Sequence, residues 1–146
     1  MGYSSALTAA GAKVIDFKHF GDYQGTWGAI VDYNGERSLV TGSYGSCSVC
    51  DSYQAEFDRY GDVDDVYTRD GNYFNSDDQE ITVEAYGLAC AKLSQRLADF
   101  GRAYLTNPST KDIVQRQLDH YNAKLDKDDW FDNEERELYD WAIRLF

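Results

Sequence analysis

The sequence predicts an α+β fold: a three-stranded antiparallel meander followed by a helix, then a helical hairpin and a short C-terminal helix, within one domain of residues 1–146. Three observations predict it. Residues 13–41 read as strands punctuated by turn residues, from about residue 80 apolar side chains recur at helical spacing, and Asn107-Pro108 breaks that run once.

The first strand, 13–20, sets Val14, Asp16, Lys18 and Phe20 on one face and Ile15, Phe17 and His19 on the other. Gly21-Asp22-Tyr23-Gln24-Gly25 supplies turn chemistry, and 27–33 is a second strand. Asn34-Gly35 is a strong hairpin signal, because both central positions of the turn must tolerate positive φ. A third strand covers 38–41. Ser46 or Ser48 then caps a helix running to about residue 60, with Val49, Tyr53, Phe57 and Tyr60 on its apolar side. Residues 61–80 are acidic and interrupted by Gly61, Gly71 and Asn75-Ser76, which predicts a long loop with a short strand near Val66-Tyr67.

Beyond it, Tyr86, Cys90, Leu93, Leu97, Phe100 and Tyr104 form an unbroken amphipathic stripe. After Asn107-Pro108, Ser109 is the expected cap of the next helix, with Asp112 completing the box and Val114, Leu118, Tyr121 and Leu125 as its stripe. Two helices joined so briefly are expected to pair as an antiparallel hairpin. In the last helix Asp132 is the expected N-cap, Glu135 completes its box, and Leu138, Trp141 and Leu145 are buried.

Composition narrows the functional classes. The chain has 146 residues, 42% hydrophobic and 15% aromatic, enough apolar material for one hydrophobic core despite a net charge of −12. No apolar run is long enough to span a bilayer, and the N-terminal residues lack a basic n-region and an apolar h-region. Three cysteines are an odd number for a disulfide framework, which predicts a reducing, cytoplasmic setting. The charge is unevenly placed. Residues 61–86 hold eight acidic residues against Arg69, and 126–146 hold eight against three basic ones, whereas 87–125 are net positive by three. Such a chain is a poor ligand for nucleic acid, whose phosphates are bound by Lys and Arg, and a good one for a basic protein surface.

The acidic block Asp62, Asp64, Asp65, Asp70, Asp77, Asp78, Glu80 and Glu84 is therefore the candidate partner-binding site, with a solvated face or a metal site as the other readings. An EF-hand is excluded, since aligning Gly71 with the invariant glycine places Val66 at the first ligand position. A two-metal hydrolytic site would need three or more of these carboxylates to converge. Cys47-x-x-Cys50 is the second candidate: two thiolates at this spacing suit zinc, redox exchange or plain packing, and zinc would need further ligands from His19, Cys90, His120 or the carboxylates. No nucleophile elbow, P-loop, zincin or dinucleotide fingerprint occurs, and a non-enzyme is expected.

The segment 42–57, Gly-Ser-Tyr-Gly-Ser-Cys-Ser-Val-Cys-Asp-Ser-Tyr-Gln-Ala-Glu-Phe, together with Gly21-Asp22-Tyr23-Gln24-Gly25 and Trp27, resembles small proteins encoded by bacteriophages and prophages. The resemblance covers residues 14–60. It implies a phage origin and no known activity, so no site residue is carried over from it. Many small acidic phage proteins inhibit host defence, anti-CRISPR proteins among them, by using carboxylates in place of DNA phosphates. By that analogy the expected partner is a basic host protein in the host cytoplasm, with neither a membrane nor nucleic acid bound directly.

Overall fold

The computed structural model describes residues 2–45, 51–57, 65–124 and 130–146, apart from the side chains of Trp130 and Phe131. The fold is α+β. A helix α1 (Tyr3–Ala9) precedes an antiparallel sheet of β1 (Lys13–Gly21), β2 (Gly25–Tyr33) and β3 (Glu36–Tyr44), in the order β1-β2-β3. Asn34 and Gly35 take φ of 52° and 79°, so the β2–β3 turn forms as the Asn-Gly pair requires. A short helix α2 (Ser52–Phe57) follows. Then come three small strands, β4 (Val66–Arg69), β5 (Asn72–Asn75) and β6 (Glu80–Ile81), and the helices α3 (Val83–Tyr104), α4 (Lys111–Asn122) and α5 (Trp130–Ile143).

Both faces of the main sheet are covered, and alternation along the strands decides what each face carries. Trp27, Ala29 and Val31 of β2 and Val40 of β3 point to one face, where they pack with Tyr3 and Leu7 of α1 and with Phe100, Tyr104 and Leu105 at the end of α3. Ile30 and Leu39 point to the other, joined by Phe20, Val114 of α4, and Leu138 and Ala142 of α5. Strand β1 departs from simple alternation. A register shift between Val14 and Asp16 absorbs Ile15 as an extra residue, so Val14 and Phe17 share a face and Ile15 joins Phe20 on the other. The expected grouping of Val14 with Phe20 is thereby corrected.

Helices α3 and α4 follow one another as the sequence indicates, but they pack on opposite faces. The partner of α3 is α1, and that of α4 is α5. The crossover is held by the backbone: Leu39 and Ser109 exchange N–H···O bonds, both 2.8 Å. Ser109 is thus bound to the outer edge of β3 and does not cap α4, whose N-cap position is Thr110. Two other caps differ. Asp51 caps α2, its Oδ1 accepting the N–H of Tyr53 and Gln54 at 3.0 and 3.1 Å, while Ser46 and Ser48, the caps expected there, lie outside the described residues. Helix α5 already begins at Trp130, which places Asp132 inside its first turn. Helix α1 was not anticipated, because its alanine- and serine-rich segment shows no amphipathic stripe beyond Tyr3 and Leu7.

Two adjacent carboxylates of α5 meet the β1–β2 turn. Glu134 is buried and its Oε1 accepts the Thr26 N–H at 3.0 Å. Burial, and then the charge of Glu134, raise the Glu135 carboxyl above its ordinary range, although the Thr26 hydroxyl acts the other way. A raised carboxyl contributes stability that is complete below its unfolded pKa and lost as pH rises through the folded one. Glu135→Gln is therefore expected to raise the thermal midpoint at neutral pH, with the gain fading by about pH 3, where the wild-type group is protonated in both states. Scanning calorimetry at the two pH values checks this.

Candidate functional site: an acidic meander on helix α3

Residues 65–84 form a second sheet, of order β4-β5-β6: the short strand expected near Val66-Tyr67 is β4, and β5 and β6 stand where the rest was expected to be loop. Its first turn is Asp70-Gly71, with φ of 53° and 81°, the same chemistry as Asn34-Gly35. The second is organised by Asn75, whose Oδ1 accepts the N–H of Asp77 and Gln79 at 3.0 and 2.9 Å, while Asp78 takes a positive φ of 59°. Pairing of Val66 with Asn75 and of Tyr73 with Ile81 places these four side chains on one face. That face meets α3, Tyr73 lying 4.5 Å from Tyr86 between ring centroids. On the other face Tyr67 stacks on Phe74 at 5.4 Å, and the Arg69 guanidinium lies 4.5 Å above the Phe74 ring. The Tyr67 hydroxyl donates to Asp78, which holds the phenol above its ordinary range.

The candidate carboxylates are distributed over this module. Asp65 precedes β4, Asp70 sits in the first turn, Asp77 and Asp78 in the second, Glu80 on β6 and Glu84 in the first turn of α3. Asp70, Asp77, Asp78, Glu80 and Glu84 are all exposed. Thr82 caps α3 by accepting the Ala85 N–H at 3.1 Å, and Glu84 complements the positive end of that helix. Asp62 and Asp64 lie outside the described residues. The two turns stand at opposite ends of β5, about 13 Å apart for four extended residues. Among the described residues, no group of three or more His, Cys, Asp or Glu side chains is placed to hold a metal ion. The arrangement is a rim of separated charges on a rigid frame, suited to a broad surface.

The second acidic block behaves differently. Glu134 and Glu135 turn inward to Thr26, Asp132 accepts the Lys124 ammonium at 2.8 Å, and Asp140 pairs with Arg144 at 2.6 Å. It lies on the α4–α5 side of the main sheet, away from α3. Asp132, Glu134 and Glu135 are thus engaged within the fold, whereas Glu137, and Asp140 despite its ion pair, are exposed among the described residues. Asp126, Asp128 and Asp129 lie outside them.

Cys47 and Cys50 also lie outside the described residues. The ends of their segment are pinned together, since the Gly45 N–H donates to Asp51 Oδ2 at 3.0 Å. The other ligands considered for zinc do not gather. His19 packs against Tyr44 on β1–β3, Cys90 lies on α3, and His120 on α4 is on the opposite face of the sheet. His19, Tyr3, Phe17 and Tyr53 instead border an open, aromatic-lined hollow of about 360 Å³ beside Asp51.

Sequence reading missed strands β5 and β6 beneath the acidic residues and the apolar side chains among them, Ile81, Ala85 and Leu88. The Asp70-Gly71 pair carried the signal. No helix among the described residues is long and apolar enough to cross a membrane. Comparison with protein-family models, curated proteins and solved structures finds no match.

Proposed function

We propose that the chain is a binding protein, not an enzyme, whose acidic meander covers a basic, nucleic-acid-binding surface of a host protein. The sense is that of phage inhibitors of host defence, acting in the cytoplasm. One observation carries the reading: five carboxylates of 65–84 stay exposed on the turns, β6 and the first turn of α3, whereas Asp132, Glu134 and Glu135 of α5 are engaged within the fold. Charges displayed in this way speed encounter with a basic surface and reject acidic ones.

The test is capture of a partner by the purified protein from bacterial lysate, followed by competition. A basic protein retained at low salt and released at about 0.5 M, where the Debye length falls to roughly 4 Å, is expected. DNA should displace it. The triple reversal Asp70→Lys, Asp77→Lys, Glu84→Lys should weaken capture at least tenfold, since these residues sit on the rim and not in the core. A partner held equally at both salts and by the reversed variant would refute the proposal.

A further inference from the structure

The small sheet and α3 do not close fully on each other. Beside the Tyr73–Tyr86 contact runs an open groove of about 330 Å³, with Val66 and Ile81 on the sheet side and Ala85, Leu88 and Ala89 on the helix side. Ala85, Leu88, Ala89 and Lys92 follow at i, i+3, i+4 and i+7, a second stripe turned away from the one that begins at Tyr86. Leu88 is 67% exposed, and Val83 at the start of the same helix is 54% exposed. The two alanines leave depressions before and after Leu88, the relief into which side chains of a second helix fit.

Charge selects the occupant. Glu84 adjoins Ala85 in the first turn of α3, and Asn75, which lines the groove, leads into the turn that carries Asp77 and Asp78, whereas Glu80 pairs opposite Phe74 and points to the other face of the small sheet. Lys92 is the one cation among the described residues lining the groove, at its far end. We propose that this groove receives the apolar side of a basic amphipathic helix of the partner, with its Lys or Arg residues toward Asp77 and Glu84. This names the element recognised under the function proposed above, and rests on that reading. Helix-in-groove docking of this kind uses apolar anchors at i, i+3 and i+4, and the flanking charges fix direction.

The experiment is an amide NMR titration of the full chain with three synthetic helical peptides of about five turns, about 18 residues each. One places Leu on one side and Lys on the other, the second replaces Leu by Ser, and the third replaces Lys by Glu. The Leu/Lys peptide is expected to shift Val66, Ile81, Ala85 and Leu88, and to bind at least tenfold more tightly than either of the others. Leu88→Asp discriminates by sign. It adds a negative charge, so a purely electrostatic contact would tighten, whereas the groove contact should weaken tenfold or more.

Equal binding of the Leu/Lys and Ser/Lys peptides, or tighter binding by Leu88→Asp, would overturn the groove and leave the acidic face standing. Equal binding of the Leu/Glu peptide would overturn the basic partner as well. A homodimer in sedimentation that Leu88→Asp dissolves would assign the groove to a second copy and refute the proposal. If no peptide binds, the groove is refuted, and the charge-reversal capture judges the acidic face by itself.

Discussion

Replacing Gly101 with alanine is expected to lower the unfolding free energy by about 3 kcal/mol or more in urea denaturation, at the upper end of overpacking costs. Gly101 is the point where α3 crosses α1. A Cβ there would lie 2.0 Å from the Ala6 carbonyl oxygen, 2.4 Å from its carbon and 2.9 Å from the Leu7 nitrogen. These are backbone atoms, so no rotamer change relieves the overlap and the helices must separate. Separation opens the layer holding Ala6 and Leu7, neither of which exposes any surface. Gly87, fourteen residues earlier in the same helix, provides the control: a Cβ there meets nothing within 4 Å. Gly87→Ala should stabilise by about 0.5–1 kcal/mol, the ordinary difference between the two residues in a helix. The same substitution in the same helix is thus expected to act with opposite signs. If both variants shift stability in one direction, the tight crossing is not the cause.

Asp51→Ala is expected to cost about 3 kcal/mol, because it leaves several buried donors without an acceptor. Asp51 is 6% exposed, and its carboxylate accepts the N–H of Gly45, Tyr53 and Gln54 and the hydroxyl of Tyr3, the last at 2.8 Å. Tyr3 in turn stacks on Trp27 at 4.8 Å and touches Tyr53, Phe100 and Tyr104, so the loss reaches the centre of the core. Burial by itself would raise the Asp51 carboxyl. The N–H of Gly45, the Tyr3 hydroxyl and the N–H of Gln54 and Tyr53 together outweigh burial and hold it below its ordinary value of 3.8. Its contribution to stability is therefore complete above that value and lost as pH falls through the lower folded one. Asp51→Asn keeps one oxygen acceptor but turns an NH₂ toward a donor, so an intermediate loss is expected, without the acid-side step. Urea midpoints of the three proteins at neutral pH and at about pH 3 decide this; a wild-type step retained in Asp51→Asn would remove Asp51 as its source.

The sequence by itself determined the main sheet, because its signals are local. Asn34-Gly35 must turn wherever it stands, and 13–41 carry strand residues on either side of it. It determined the start and end of the long helical region for the same reason, through an unbroken stripe and Asn107-Pro108. The second hairpin was equally legible in Asp70-Gly71, but the density of acidic residues masked its partner strands: beyond the short strand at Val66-Tyr67 charge was read as loop, whereas the strands need only Val66, Tyr73, Phe74 and Ile81 to pack. The bulge at Ile15 and the Leu39–Ser109 bridge left no local trace, since each exists only when a distant strand or turn supplies its partner.

The candidate site divides along the same line. Which residues are acidic, and that they cluster at 61–86 and 126–146, is composition. Only the tertiary structure decided which of them are displayed. Glu134 faces inward because the Thr26 N–H lies beneath it, whereas Asp70 and Asp77 sit on turns that nothing covers among the described residues. Burial and pairing join residues more than a hundred positions apart, such as Thr26 and Glu134, and no pattern in a linear chain records them. Alternation and turn chemistry act between neighbours, so they can be read in order; the exposure of a charge depends on what the rest of the fold brings to it.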